Sequence, residues 1–299
     1  MDLSAVAARL ARLLGLGDVE SVAGGLEFAV FRAATPTGEQ RALRVPREPV
    51  YRTPGEVPVP AARLQEQERA IYQLLSEAGL PVPRPVRLIE DAESGLPVLV
   101  SQFVSSDGAA LEAAEVGRFL AKLHGLPVGP LDLVTHENTT GLLGLAARLR
   151  RRWGPLREQV PDLPGLPVLD ELLAEPRSGP SSLLHLDVRA CNLLSVAGEL
   201  RAVVDWSSAM VAHPALEFAR MREYAQLDEN GIDLAAITAE YQRHRPVPRV
   251  LRRTEAVFRL DAVSMLTLVF LGPAPNPDRA AWAVERVREL IDVVRSAER

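Results

Sequence analysis

Cysteine occurs once in the 299 residues, as Cys191, so no internal disulfide can form and a reducing compartment suits the chain. Lysine is almost missing as well. Lys122 stands alone and the other basic residues are arginines, with no basic arm among them and a formal net charge of −5. A nucleic-acid surface needs clustered positive charge, so the composition argues against that partner class. Long apolar runs are also lacking. The longest, Ala262 to Leu271, falls well short of the roughly 20 residues that a bilayer span requires, and the N-terminus has no basic start followed by an apolar run. The expectation is a cytoplasmic protein with no membrane partner, either monomer or homodimer. No G-x-G-x-x-G is present, and no repeat or low-complexity tract stands out.

What remains is an ordinary globular composition, 47% hydrophobic and 24% charged, long enough for one large or two modest cores. Strand signals alternate with Gly and Pro punctuation at Leu26 to Ala33, Gln40 to Val45, Val86 to Ile89 and Pro97 to Val104. Between them, Leu64, Ile71, Leu74, Leu75 and Ala78 recur at helical spacing, which predicts a helix from Ala61 to Ala78 closed by Gly79 and Pro81. From Ala109 onward the pattern is mainly helical, near 110–125, 141–153, 166–175, 213–226, 232–244, 249–271 and 278–297, interrupted only by a β-hairpin. Pro and Gly are dense from Gly154 to Pro180, which suggests a loop-rich insertion.

The hairpin follows the segment His185-Leu186-Asp187-Val188-Arg189-Ala190-Cys191-Asn192, and its strands, 192–195 and 199–204, end at Asp205-Trp206. Phosphoryl transfer asks a protein for positioning and charge neutralisation more than for covalent chemistry. A carboxylate beside the acceptor hydroxyl and two hard oxygen ligands for Mg²⁺ meet that need. Asp187 is the candidate base, and Asn192 and Asp205 are the candidate metal ligands. The spacing H-x-D-x-x-x-x-N followed by Asp after an apolar strand matches the catalytic and metal loops of kinases. No Ala-Pro-Glu follows Asp205, which removes support for a protein kinase.

These residues resemble the aminoglycoside phosphotransferase family, whose members read H-G-D-x-x-x-x-N and then I-D-W-E-x-A. The resemblance extends to Ala42-Leu43-Arg44-Val45-Pro46-Arg47, to the helix opening at Glu68, to Leu80-Pro81-Val82-Pro83-Arg84-Pro85, to Phe119-Leu120-Ala121-Lys122-Leu123-His124, and to His213-Pro214-Ala215-Leu216-Glu217-Phe218-Ala219. It implies an α+β, bilobal, protein-kinase-like fold. Residues 1–104 would form a small antiparallel sheet plus helix, residues 105–299 a larger, mainly helical lobe, with nucleotide in the cleft. It also implies a kinase that moves the γ-phosphate of ATP or GTP, with Mg²⁺, to a hydroxyl of a small molecule such as an aminoglycoside, a macrolide or a metabolite. A catalytically silent nucleotide-binding protein is the alternative.

The resemblance suggests further roles. Arg44 stands where kinases carry a phosphate-gripping lysine, which predicts an ion pair with Glu68, or failing that with Glu66. Gln102 to Val104 would offer backbone groups to the nucleotide base, and Gly24-Gly25 would let backbone amides approach phosphate, although paired glycines are equally turn residues. Arg189 is either a cation for the transferring phosphate or a solvated loop residue. Glu217 either supports the catalytic loop or is a first-turn helix carboxylate. His185 is read as structural and Cys191 as a small loop filler. Two positions depart from the pattern: Leu186 replaces the usual glycine, and Ser207 a frequent acidic residue. Near the C-terminus Arg243, Arg245, Arg249, Arg252 and Arg253 weaken the case for a polycationic aminoglycoside. Val257, Phe258, Met265, Leu266 and Phe270 either line an apolar acceptor site or pack the core.

Overall fold

A computed structural model describes residues 2–53, 55–134, 141–177 and 179–296; position 297, the last of the expected terminal helix, lies outside the described residues. In chain order the elements are α1 (Leu3–Leu13), β1 (Gly17–Gly24), β2 (Phe28–Ala34), β3 (Gln40–Pro46), β4 (Val50–Tyr51), β5 (Val59–Pro60), α2 (Ala61–Glu77), β6 (Pro85–Glu90), β7 (Pro97–Gln102), α3 (Ala113–Leu123) and α4 (Gly141–Gln159). They continue as α5 (Leu169–Leu172), α6 (Ala174–Arg177), β8 (Ser182–Leu184), β9 (Leu193–Val196), β10 (Glu199–Val203), β11 (Met210–Ala212), α7 (Ala215–Tyr224), α8 (Leu234–His244), α9 (Arg252–Leu271) and α10 (Pro277–Arg295). The chain packs as two compact units. One comprises residues 1–52, 58–112 and 192–207, the other 53–57, 113–191 and 208–299. The hairpin β9–β10, expected with the C-terminal lobe, belongs to the first unit, and the first unit runs to 112 rather than 104.

The first unit is built on a five-stranded antiparallel sheet in the order β1-β2-β3-β7-β6. In β2 and β3 alternate residues turn to one face, where Ala29, Phe31, Ala33, Leu43 and Val45 are buried. That face is covered by Val6, Ala7 and Leu10 of α1. The sequence reading placed no helix there. Its signal was present, because Asp2 caps the helix by accepting from the amides of Ser4 and Ala5, and the apolar positions follow at helical spacing. Strand β1 was also missed. It is an edge strand exposed along nearly its whole length, so it carries no buried alternation for a pattern to reveal.

In the second unit α9 is the central helix. Val257, Phe258, Leu260, Val263, Leu266 and Phe270 pack into one core with α4, α7 and α10, which assigns the apolar residues of this helix to packing rather than to an acceptor pocket. Helix α4 runs through Pro155, where the sequence predicted a stop at 153. A proline inside a helix costs about 3 kcal/mol, and burial of Trp153 and Leu156 on either side offsets it. The expected helix at 166–175 is two short pieces, α5 and α6. A two-stranded ladder of β8 and β11, with Leu183 opposite Val211, adds a second interruption to the helices. Among the described residues no helix is long and apolar enough to cross a membrane.

Candidate active site

The first unit carries Asn192 and Asp205. Strands β9 and β10 pair with Leu193 opposite Val203, and the Val204 amide donates to the Asn192 carbonyl at 3.0 Å. Asn192 and Asp205 therefore sit at adjoining positions where the hairpin opens. Asp205 adopts a left-handed backbone conformation, φ 63°, which a short polar residue tolerates better than most. Glu68 of α2 holds it there. This carboxylate, 1% exposed, accepts the Asp205 amide at 3.2 Å on one oxygen and the Trp206 amide at 2.7 Å on the other. Gln67 Nε2 donates to the Trp206 carbonyl at 2.6 Å, so consecutive residues of α2 grip the turn through both kinds of backbone group.

Arg44 of β3 donates from Nη2 to Asp205 Oδ1 at 2.9 Å and to Ser207 Oγ at 3.3 Å, and its guanidinium lies over the Phe28 ring. Burial works against its charge, but the fields of Glu68 and Asp205 outweigh it and raise the pKa. The expected Arg44–Glu68 ion pair gives way to an Arg44–Asp205 pair. Both Glu68 oxygens are engaged by backbone amides, and Glu66 pairs with Arg69 instead. Gly24 closes β1 opposite Ala29, and a Cβ on it would approach Arg47 Nη2 to 3.0 Å. At Gly25 the amide donates to Phe28 and the carbonyl accepts from Arg47 Nε at 2.8 Å, so this turn is closed internally. The Gln102 amide donates to Arg84, whereas among the described residues neither backbone group of Val104 has a partner.

The second unit carries Asp187. Leu186, where glycine was expected, has φ 61° and is fully buried. Its left-handed backbone is held by Glu217 of α7, which is also fully buried and whose oxygens accept the His185 amide at 2.7 Å and the Leu186 amide at 2.8 Å. Burial pushes the Glu217 pKa up, but neighbouring His124 and His185 and the donated amides bring it below the ordinary carboxylate value. His124 Nε2 lies 3.8 Å from Glu217, and its Nδ1 is 3.2 Å from the Tyr241 hydroxyl. The Asp187 amide bonds His185 Nδ1 at 3.1 Å, which gives His185 the structural place expected of it. Arg189 is a partner of Asp187, with Nη2 3.0 Å from Oδ2, and not a free loop cation. Burial disfavours the Arg189 charge, but Asp187 outweighs it and raises the pKa. Beyond lie Tyr224, its pKa pushed up to about 12 by burial, and Arg220, which joins Arg148 and Arg152 around the buried Asp261.

The sequence profile of the phosphotransferase enzyme family (APH) matches residues 18–255. The chain belongs to this family. No curated protein sequence matches it at significance. Among solved structures, this phosphotransferase family member is similar to aminoglycoside phosphotransferase APH(4)-Ia, with a TM-score of 0.67 at 18% identity over 99% of this chain and 100% of that one. A thermostable APH(4)-Ia mutant, in ternary complex with ADP and hygromycin B, matches with a TM-score of 0.59 at 17% identity over 97% and 99% of the two chains. The gentamicin complex of APH(2″)-IIa matches with a TM-score of 0.61 at 14% identity over 98% of each. The fold is thus the kinase-like α+β fold of these small-molecule phosphotransferases.

Sequence reasoning missed Gln67, and it noted Ser207 only as a departure. Leu64, Glu68, Ile71 and Leu75 share one face of α2 at i, i+4, i+7 and i+11. A carboxylate on an otherwise apolar face was the available sign that Glu68 would be buried and need backbone donors.

Proposed function

We propose that the chain transfers the γ-phosphoryl group of ATP or GTP, bound with Mg²⁺, to a hydroxyl of a small molecule. Asp187 accepts the hydroxyl proton or orients the hydroxyl for in-line attack. Arg189, paired with Asp187, supplies positive charge toward the transferring group, and Arg44 does so toward the other phosphates. Asn192 and Asp205 would hold Mg²⁺, which supplies charge neutralisation on the phosphates. Both are oxygen donors at one hairpin end, which fits a hard cation that completes its shell with water and phosphate oxygens. Gln102 and Val104 would meet the base, and the Gly24-Gly25 turn would lie toward the phosphates.

The observation that carries this reading is the fully buried Glu217 carboxylate, which accepts the amides of His185 and Leu186, the two residues before Asp187. Aspartates in ordinary turns have no such support, whereas a base that must be aimed benefits from it. Arg189 pairs with Asp187 and Arg220 feels its charge, which favours a neutral or anionic acceptor over a polycation. The neighbours bound to hygromycin B and gentamicin therefore guide the chemistry more than the choice of acceptor. A cytoplasmic location fits a reaction that draws on nucleotide triphosphate. The test is a panel of hydroxyl compounds incubated with Mg-ATP and Mg-GTP and screened by mass for one added phosphoryl group. Turnover on some acceptor that Asp187→Ala abolishes is expected; turnover untouched by that change would overturn the assignment.

A further inference from the structure

We infer that Ser207 is a positioning residue that ties Arg44 to Asp205, so that Asp205 becomes available to a divalent cation only when a nucleotide phosphate draws Arg44 away. The inference rests on the proposed reading of Asp205 as a metal ligand and Arg44 as a phosphate cation. Its geometric basis is a closed triangle of contacts. Asp205 Oδ1 receives Arg44 Nη2 at 2.9 Å and Ser207 Oγ at 2.8 Å, while Arg44 Nη2 is also 3.3 Å from Ser207 Oγ. Two donors fill the two lone-pair directions of that oxygen. A cation seeking it must displace one of them and would also meet the guanidinium charge at short range.

Serine suits this position because a hydroxyl can donate to Asp205 and accept from Arg44 at once, whereas a carboxylate accepts only. Arg44 has capacity to exchange partners. Its Nη1 is buried without a hydrogen-bond partner among the described residues, and arginine binds phosphate through paired N–H groups. Among the described contacts the guanidinium bonds Asp205 and Ser207, while Glu68 accepts the amides of Asp205 and Trp206. Those same bonds fix the Asp205 backbone, so the exchange needs only side-chain movement.

The prediction is positive coupling between nucleotide and metal that is larger than phosphate ligation alone provides. Free Mn²⁺ can be titrated by its electron paramagnetic resonance signal against the full chain, with and without ADP. The intact protein should bind Mn²⁺ at least about tenfold more weakly without ADP, within the usual range of coupling between sites. Arg44→Gln should raise the affinity for Mn²⁺ alone several-fold, Ser207→Ala should raise it less, and Ser207→Thr, which keeps the hydroxyl, should match the unaltered chain. If Arg44→Gln and Ser207→Ala both leave Mn²⁺-only affinity unchanged while ADP-dependent Mn²⁺ binding is intact and lost in Asp205→Asn, the latch is wrong and the metal-ligand reading stands. If the unaltered chain binds no Mn²⁺ even with ADP, the reading of Asp205 falls and the latch with it.

Discussion

Glu68 and Glu217 make the same local arrangement in different units. Each is a buried helical glutamate whose two oxygens accept two consecutive backbone amides, and in each case one of those amides belongs to a residue with a left-handed backbone. They differ in what the left-handed residue is. In one bracket it is Asp205 itself, part-exposed and bonded through its side chain to Arg44 and Ser207; in the other it is Leu186, fully buried, one residue before Asp187. A non-glycine residue in this conformation costs about 1–2 kcal/mol. Polar contacts offset the cost in the first bracket and apolar burial offsets it in the second. A strained backbone of this kind persists only where its surroundings over-determine it, and such positions concentrate at functional sites.

The comparison can be broken at several points. The largest expected effect is on turnover: Asp187→Ala should lower acceptor-dependent phosphoryl transfer by about 10²–10⁴-fold, the usual range for a general base, and leave nucleotide affinity nearly intact. Asp205→Ala should lower turnover and also abolish metal-assisted nucleotide binding, so calorimetry with ADP and Mg²⁺ separates the two carboxylates. Next come the braces. Glu217→Ala and Glu68→Ala each strand two backbone amides, at about 1–3 kcal/mol per buried group, and urea melts should show losses of similar size. Unequal losses would mean the two brackets are not equivalent in energy.

Smaller effects are expected at the left-handed residues. Leu186→Gly relieves backbone strain but removes a fully buried side chain worth about 2–5 kcal/mol, so the net change should be destabilising. Asp205→Gly relieves the same strain but strips the mostly buried Arg44 of its ion-pair partner, so the melting temperature without ligand should fall as well. A rise for Leu186→Gly would show that apolar burial is not what sustains the second bracket. The smallest effect lies outside both brackets, at Asp91, which Arg9 and Ser94 hold at a pKa of about 2. Because the folded value lies below the ordinary 3.8, its contribution is present above that value and lost as pH falls toward 2. The stability deficit of Asp91→Asn should therefore be full at neutral pH and vanish below about pH 2 in acid melts.

The family resemblance and the α+β fold were legible because they rest on local signals: alternation in β2 and β3, the helical period of α2, and the order of motifs around Asp187, Asn192 and Asp205. Misreadings arose where local signals conflict with packing. Pro155 indicates a helix end, yet buried neighbours carry α4 through it, and β1 lacks a pattern because its residues are exposed. The partner of Arg44 differs from the expected one because spacing cannot say which carboxylate lies within hydrogen-bond reach of its guanidinium.

The sequence by itself determined which chemical groups are present and in what order, since motif identity depends on residue type and short spacing. Only the tertiary structure decided how the charges pair. Glu68 reaches amides 137 and 138 positions along the chain and Glu217 reaches back 31 and 32, so their partners are set by packing of helices against loops. Glu68 holds backbone amides while Arg44 bonds Asp205, and which carboxylate lies in line with which donor is settled only in three dimensions.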